Sequence, residues 1–292
     1  LAAALTWSGE GVGLGEVDTA LARLRTEAAH DHPSMRTSVM THIAWVPQEW
    51  VEPARAALSG MDERHPSRTI LLLPEPDAGE SRIDAAVSLE TYEIPGSNRR
   101  IVSEVIELRL LGPRAKAPAS IVQPLLISDL PVFLRWRGMP PWRAPELDQL
   151  LGVIDRLIVD STEWDELPHA YGHLAELFPR VVVSDIAWER TSRWRHLLAS
   201  LWPDIADVRT IRVTGTEAQA QLLAGWLRSR LGRDDIGVEH VPAERLQGIE
   251  LDGKPAPFPP GDPPQPSDVL SAELDLYVRD PVYEAAVVAA ST

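Results

Sequence analysis

Three groups of residues in this chain combine side chains that can do chemistry at spacings able to bring them together. His65, Ser67 and Arg68, in HPSRTILLL (65–73), stand just before an apolar run. Ser and Arg both donate hydrogen bonds, and a guanidinium can hold two oxygens at once, so this trio could receive a phosphate or phosphosugar. Ligands of parallel sheets sit at C-terminal strand ends, however, and this loop precedes its strand. That geometry favours a structural role, with Pro66 fixing the turn and Arg68 pairing an acidic neighbour. His169, His173 and Glu176 recur at i, i+4 and i+7 on one helix face, the spacing a metal ion needs. Ala170, Tyr171 and Gly172 lie between the histidines, so there is no HExxH, and a polar helix face is the simpler reading. Asp129, Asp160 and Asp185 fall at the ends of apolar runs, where catalytic carboxylates stand but where Asp also caps helices and holds arginines. No serine lies in a GxSxG elbow, and no P-loop, kinase signature or EF-hand is present. Gly11, Gly13 and Gly15 miss the spacing of a dinucleotide fingerprint. No catalytic group, metal or cofactor is therefore assigned.

The densest signal is of another kind. Six of the ten tryptophans lie between Ser128 and Trp202, interleaved with arginines. SDLPVFLRWRGMPPW (128–142) holds Arg135, Trp136, Arg137 and Trp142, with Arg143 next, and SDIAWERTSRWRHLLASLW (184–202) holds Asp185, Trp188, Arg193 and Arg195. Arg and Trp side by side mark protein interfaces more often than catalysis, because they combine large desolvatable area with fixed hydrogen-bond geometry. These nine residues are the candidate partner-binding set. Trp136 and Trp142 flank RGMPP, a Pro/Gly loop after a strand, where exposure is expected. Trp164, Trp202 and Trp226 read as core aromatics on buried faces.

Composition narrows the classes of partner. The 292 residues are 44% hydrophobic and 24% charged, which is ordinary for a globular protein. A net charge of −15 and a pI near 5.0 argue against a general binder of nucleic acid or anionic membrane. The chain has no cysteine, which removes disulfides, thiol nucleophiles and Cys-ligated metals. No apolar run approaches the ~20 residues of a membrane span. The opening LAAALTWSGEG lacks a charged, then apolar, leader pattern, so a cytoplasmic setting is expected.

The elements that must position these residues follow from periodicity. Residues 1–15 read as a flexible, glycine-rich lead-in, and Glu16–His30 carries the apolar stripe of a helix at Val17, Leu21, Leu24 and Ala28. A strand over 39–46, a helix over 47–57 ending near Gly60 and a strand over 69–73 form a β-α-β unit. Ile83–Glu90 and Val102–Leu110 alternate as an antiparallel pair around the turn PGSNRR (95–100). After GPRAKAP (112–118), which has a linker's composition, and a short helix over 119–126, strands are predicted at 131–135, 156–160, 181–184, 208–214 and 236–241. Helices over 145–151, 170–177, 192–201 and 217–231 fall between them. The last is the best marked: Thr216 and Gln219 form a capping box and Gly232 closes it. GKPAPFPPGDPPQP (253–266), with seven prolines, reads as a stiff surface arm before helical pieces near 268–276 and 280–290. The reading is a two-domain α/β chain, each domain a mostly parallel, mixed-edge sheet with helices on both faces. The domains are placed at 1–117 and 118–292, with a boundary near 161 as the alternative.

Taken in order, HPSRTILLL, DLPVFLRWRG, DRLIVDS (155–161) and DIAWERTSRWRHLL resemble the OpcA family, glucose-6-phosphate dehydrogenase assembly proteins of actinobacteria and cyanobacteria. The resemblance covers most of residues 16–290, and the family is usually divided near residue 161. It implies a protein that is not itself an enzyme. Such a protein binds glucose-6-phosphate dehydrogenase and promotes its active form, supporting NADPH production in the oxidative pentose phosphate route. The competing reading from the residues alone is a sensor or enzyme for a phosphorylated sugar, using loops after 135, 160, 185 and 214.

Overall fold

The computed structural model describes residues 5–31, 34–35, 38–58, 67–93, 100–261, 269 and 278–291. His65, the turn at 95–99, the helix stop at Gly60, the end of the proline arm and most of the helical piece near 268–276 lie outside them. Two compact units divide at Leu157/Ile158. The sequence placed its break near 117, with 161 as the alternative; residues 112–116 and 118–122 instead form helical turns within the first unit.

In the first unit the chain runs β1 (Leu5–Gly9), α1 (Leu14–Asp31), β2 (Ser34–Met35), β3 (Met40–Trp45), a 3-10 turn (Gln48–Trp50), α2 (Val51–Leu58) and β4 (Ser67–Glu75). It continues with β5 (Ile83–Glu93), β6 (Arg100–Leu111), α3 (Pro118–Val122), a 3-10 turn (Gln123–Leu125), β7 (Val132–Trp136), α4 (Pro145–Leu151) and the start of β8 (Arg156–Val159). The strands align in the order β1-β5-β6-β4-β3-β7, with β2 also beside β6. Pairs β3–β4, β4–β6 and β3–β7 are parallel, and β5–β6 and β1–β5 antiparallel. The flexible lead-in is corrected here: Leu5, Trp7 and Gly9 are half-buried in alternation, in register with Leu89, Val87 and Ala85. An edge strand needs only such a short alternation.

Side-chain parity shows that helices cover both faces. Glu104 and Glu107 are an odd number of residues apart on β6, so they point to opposite faces. Arg25 of α1 reaches Glu104, whereas Arg55 of α2 reaches Glu107. Arg68, level with Glu104, donates to the carbonyl of Leu125 beyond α3, so α1 and the α3 region share one face and α2 holds the other. Leu21, Leu24, Ile43, Ile70, Leu72 and Ile106 are fully buried between these layers.

In the second unit β8 ends beside β9 (Val182–Asp185), with α5 (His169–Ala175) between them in sequence. Next come α6 (Ile186–Arg190), α7 (Ser192–Ser200), β10 (Thr210–Gly215), α8 (Glu217–Leu231), β11 (Gly237–Pro242), β12 (Gly248–Leu251), β13 (Lys254–Pro255) and α9 (Pro281–Ala290). β11 is parallel to β10, and β12 and β13 add antiparallel strands in the order β11-β10-β12-β13. The capping box of Thr216 and Gln219 is present, and Gly232 closes α8 with φ +63°. Helix α9 packs on α8 and α5. Gly225 makes the close approach to α9: a Cβ there would stand 2.2 Å from the carbonyl oxygen of Ala286.

Candidate functional site

In open α/β sheets ligands and partners meet the C-terminal strand edge where neighbouring strands send their connections to opposite faces. In the first unit that point lies between β3 and β7. From β3 the chain passes into α2; from β7 it passes into α4, which packs against α3 on the other face. The two strands end on paired residues, Trp45 and Trp136, whose rings stack 4.9 Å apart at 16°. Trp136 is only 2% exposed, so the expected exposure is corrected: as the last residue of a strand that faces α-helical cover, its ring forms the floor of the crest. Arg135, of opposite parity, is buried too and donates to the Trp136 carbonyl.

Above this floor the chain leaves the sheet. The Arg137 amide donates to the Trp45 carbonyl (3.0 Å), and its guanidinium lies 4.8 Å from the ring centroid of Trp50. Gly138 has φ +75°, and a Cβ there would come within 3.3 Å of Trp50 Nε1, so the turn both permits and requires glycine. Arg137 and Trp142 are half-buried and Arg143 is exposed. Arg137, Trp142 and Arg143 thus share the loop that follows β7, with Arg137 over the Trp50 ring. Trp50 was missed by the sequence reading; its signal was an aromatic five residues after the end of β3, in the loop that faces RGMPPW.

Of the HPSR trio, the two described members, Ser67 and Arg68, do not converge. Ser67 and Arg68 are consecutive strand residues and point to opposite faces. Ser67 Oγ lies 3.2 Å from Thr69 Oγ1, and Arg68 donates to Glu104 (2.8 Å) and to the Leu125 carbonyl. Arg25 adds two bonds to Glu104, at 2.7 and 2.9 Å. Burial pushes the Glu104 carboxyl up, but the hydrogen bonds and charges of Arg25 and Arg68 outweigh it and hold it below the ordinary value. The acidic partner expected for Arg68 is Glu104.

In the second unit Asp185 is fully buried. Its Oδ1 accepts from the amides of Ser161 (3.0 Å) and Ala187 (2.8 Å), and its Oδ2 from Ser161 Oγ (2.6 Å). Burial first, then the charge of Asp160, pushes it up to about 7, against the pull of these donors. Asp160 holds Arg190 Nη1 at 2.8 Å and Thr162 Oγ1 at 2.6 Å. Both carboxylates therefore cap the segments that follow β8 and β9, α6 among them. That is the structural use weighed against catalysis for strand-end acids.

Trp188 and Arg195 meet in another way. The Trp188 indole donates to Asp280 (2.9 Å), and the Arg195 guanidinium lies 3.5 Å from its ring centroid. Asp280 also caps α9 through the amides of Val282 and Tyr283, so buried Trp188 fastens the C-terminal helix to α6. Arg193 donates to the carbonyls of Pro259, Pro260 and Gly261 on the proline arm. Trp164 and Trp226 are buried as expected, but Trp202 is 65% exposed, because α7 ends at Ser200 and releases it from the helix face. Among the described residues no group of three His, Cys, Asp or Glu side chains is placed to hold a metal ion. None of their helices is long and apolar enough to cross a membrane.

Known proteins resemble this chain over both units. It is 30% identical over 181 residues to an OxPP cycle protein OpcA of Nostoc punctiforme, covering 58% of this chain and 38% of that one. It is 25% identical over 191 residues to the OpcA protein of Synechocystis, covering 61% and 40%. With that of Synechococcus elongatus it shares 24% over 200 residues, covering 65% and 43%. The alignments thus span about two fifths of the length of these curated relatives. Residues 59–176 match the family model described as the glucose-6-phosphate dehydrogenase subunit N-terminal domain, and residues 181–262 match the corresponding C-terminal domain. With both models matched in order, and three relatives of one name, this chain belongs to the OpcA family.

Proposed function

We propose that this chain binds glucose-6-phosphate dehydrogenase and favours its active form, without carrying out a reaction of its own, in the cytoplasm and in support of NADPH production. The observation that carries this reading is the ordered match to both domains described as subunits of that dehydrogenase. The disposition of the polar groups agrees with it. The strand-end carboxylates Asp160 and Asp185 are spent on caps and on Arg190. The β3/β7 crest meanwhile presents Arg137, Trp142 and Arg143, residue types that dominate protein interfaces.

The mechanism is differential binding. A protein that contacts the active state of its partner more tightly than the inactive one shifts that population by the ratio of the two affinities, each ~1.4 kcal/mol of preference being worth tenfold. In this reading Arg137, Trp142 and Arg143 make contact. Arg135, Trp136, Asp185, Trp188 and Arg195 act behind them by holding the sheet edge, α6 and α9.

The test is to measure the mass and the NADPH-forming rate of the dehydrogenase from the same organism, with and without this chain. Complex formation with a changed rate or substrate affinity is expected. Arg137→Ala with Arg143→Ala should weaken the complex at least tenfold while leaving the circular dichroism spectrum unchanged. If neither mass nor rate changes at micromolar concentrations while sugar phosphates stabilise the isolated chain, a phosphosugar sensor replaces this reading.

A further inference from the structure

Residues 190–202 (RTSRWRHLLASLW) contain three arginines, one histidine and no carboxylate, in a chain whose net charge is −15. Within them α7 (Ser192–Ser200), which carries Arg193, Arg195 and His196, buries Trp194 and Leu198, half-buries Leu197 and leaves His196 and Ala199 exposed, while Arg190 ends α6 and pairs with Asp160. Trp202, just past its last turn, is exposed. Alongside its first turn runs the proline arm, which is fastened at two points. At one end Lys254–Pro255 pairs with β12, and the Ala256 amide donates to Ile249 (2.8 Å). At the other end Arg193 collects the carbonyls of Pro259, Pro260 and Gly261.

Phe258 lies between these fastenings. Its ring centroid is 5.7 Å from that of Trp194, yet the side chain is 74% exposed. The large hydrophobics exposed among the described residues are Val39, Trp202, Phe258, Val278 and Val288, so both aromatic ones flank α7. An exposed phenylalanine on a free loop would lose much of its binding energy to ordering. Here four prolines and two anchors have fixed the backbone before any partner arrives.

We propose that α7 and the arm over 254–261 form a docking surface for the dehydrogenase. It takes an apolar segment rimmed by carboxylates, with Phe258 and Trp202 as the apolar anchors. The carboxylate rim follows from charge complementarity: α7 is acid-free and basic, whereas the rest of the chain carries all 43 acidic residues. The inference rests on the partnership proposed above and assigns it residues other than those of the β3/β7 crest.

The experiment measures the affinity of the full chain for the dehydrogenase, with thermal unfolding of each variant as the check on folding. Phe258→Ser and Trp202→Ser should each weaken binding about tenfold, as interface aromatics do, without lowering the unfolding temperature, since both side chains are largely solvated already. Arg193→Ala, which unfastens the arm, should weaken it less. Ala199→Glu should weaken binding and Ala199→Lys should not. Wild-type affinity in both aromatic variants overturns this surface and leaves the partnership standing. Failure of the parent chain to bind removes both. A self-associated parent that the two aromatic substitutions render monomeric would identify a second copy as the occupant, and would overturn the proposal in that way.

Discussion

Replacing Glu104 with Gln tests whether the first unit is held together as described. The carboxylate is fully buried and receives Arg68 from β4 and Arg25 from α1. Removing one member of a buried ion pair costs ~3–5 kcal/mol, because the remaining charge is left in a poor solvent. Arg25 is 23% exposed and can recover water, whereas Arg68 is buried and retains the Leu125 carbonyl among its acceptors. The lower end, about 3 kcal/mol, therefore applies. With a urea slope of about 2 kcal/mol/M, the unfolding midpoint should fall by about 1.5 M. The assay is urea unfolding followed by near-ultraviolet circular dichroism, which reads the Trp45–Trp136 stack. The folded carboxyl is held below its ordinary value of 4.5, so its contribution is complete above that value and lost as pH falls through the folded one. The gap between wild type and variant should accordingly close in acid. Exchanging the charged pair for apolar groups, Glu104→Leu with Arg68→Met, should recover much of the loss. A midpoint shift below about 0.3 M for Glu104→Gln at neutral pH would refute the reasoning, since it would mean that Arg68 is not desolvated.

Gly225→Leu should detach α9 from α8, because even the first added carbon would meet the Ala286 carbonyl oxygen at 2.2 Å and the Ala290 Cβ at 2.9 Å. Hydrogen exchange should then show lost protection over 281–290 with little change in the first unit. His42, buried in β3 with neither ring nitrogen hydrogen-bonded, is lowered to about 4 by burial and then by the Arg135 charge. The unfolded chain takes up that proton first, near 6.5, so stability should fall between pH 6.5 and 4 by up to about 3 kcal/mol, and His42→Leu should flatten the fall. Asp185 works in the opposite sense: with its folded value raised to about 7, it favours the folded chain progressively as pH drops below 7. The difference between the wild-type and His42→Leu pH curves, in which the Asp185 contribution cancels, isolates His42.

Where the sequence carried a complete local instruction, the structure follows it. The Thr216/Gln219 box, the buried face of Leu222, Leu223, Trp226 and Leu227 and the Gly232 stop define α8 without help from the rest of the chain. The elements missed were those whose signals served two purposes. Asp185 was read as a strand-end acid, and it is one; the same carboxylate caps α6, a five-residue helix too short to show a periodicity. Asp252-Gly253 is a hairpin signal, but the prolines that follow hid the β12–β13 pair behind an arm. In the candidate site, residue types were legible and their burial was not. Nothing local in SRWRHLLASLW says that Trp194 is covered while Trp202 is not; that depends on where α7 stops.

The crest makes the same point in a form that bears on function. Arg135 and Arg137 share a strand parity, so by period alone they should share a fate. Arg135 is inside the sheet and buried, whereas Arg137 stands one residue past the end of β7, where the Trp45 carbonyl receives its amide and the chain turns at Gly138. What converts an interior arginine pattern into a surface one is thus the length of the strand. The tryptophans set that length, because Trp45 and Trp136 are opposite each other and stack only if β3 and β7 end together. Trp50 then takes the Arg137 guanidinium on its face, which orders that long side chain before a partner arrives and reduces the entropy lost on binding. If Arg137 makes the contact proposed above, buried Trp45 and Trp136 serve it from inside the fold by fixing where the strand ends, and half-buried Trp50 holds its guanidinium.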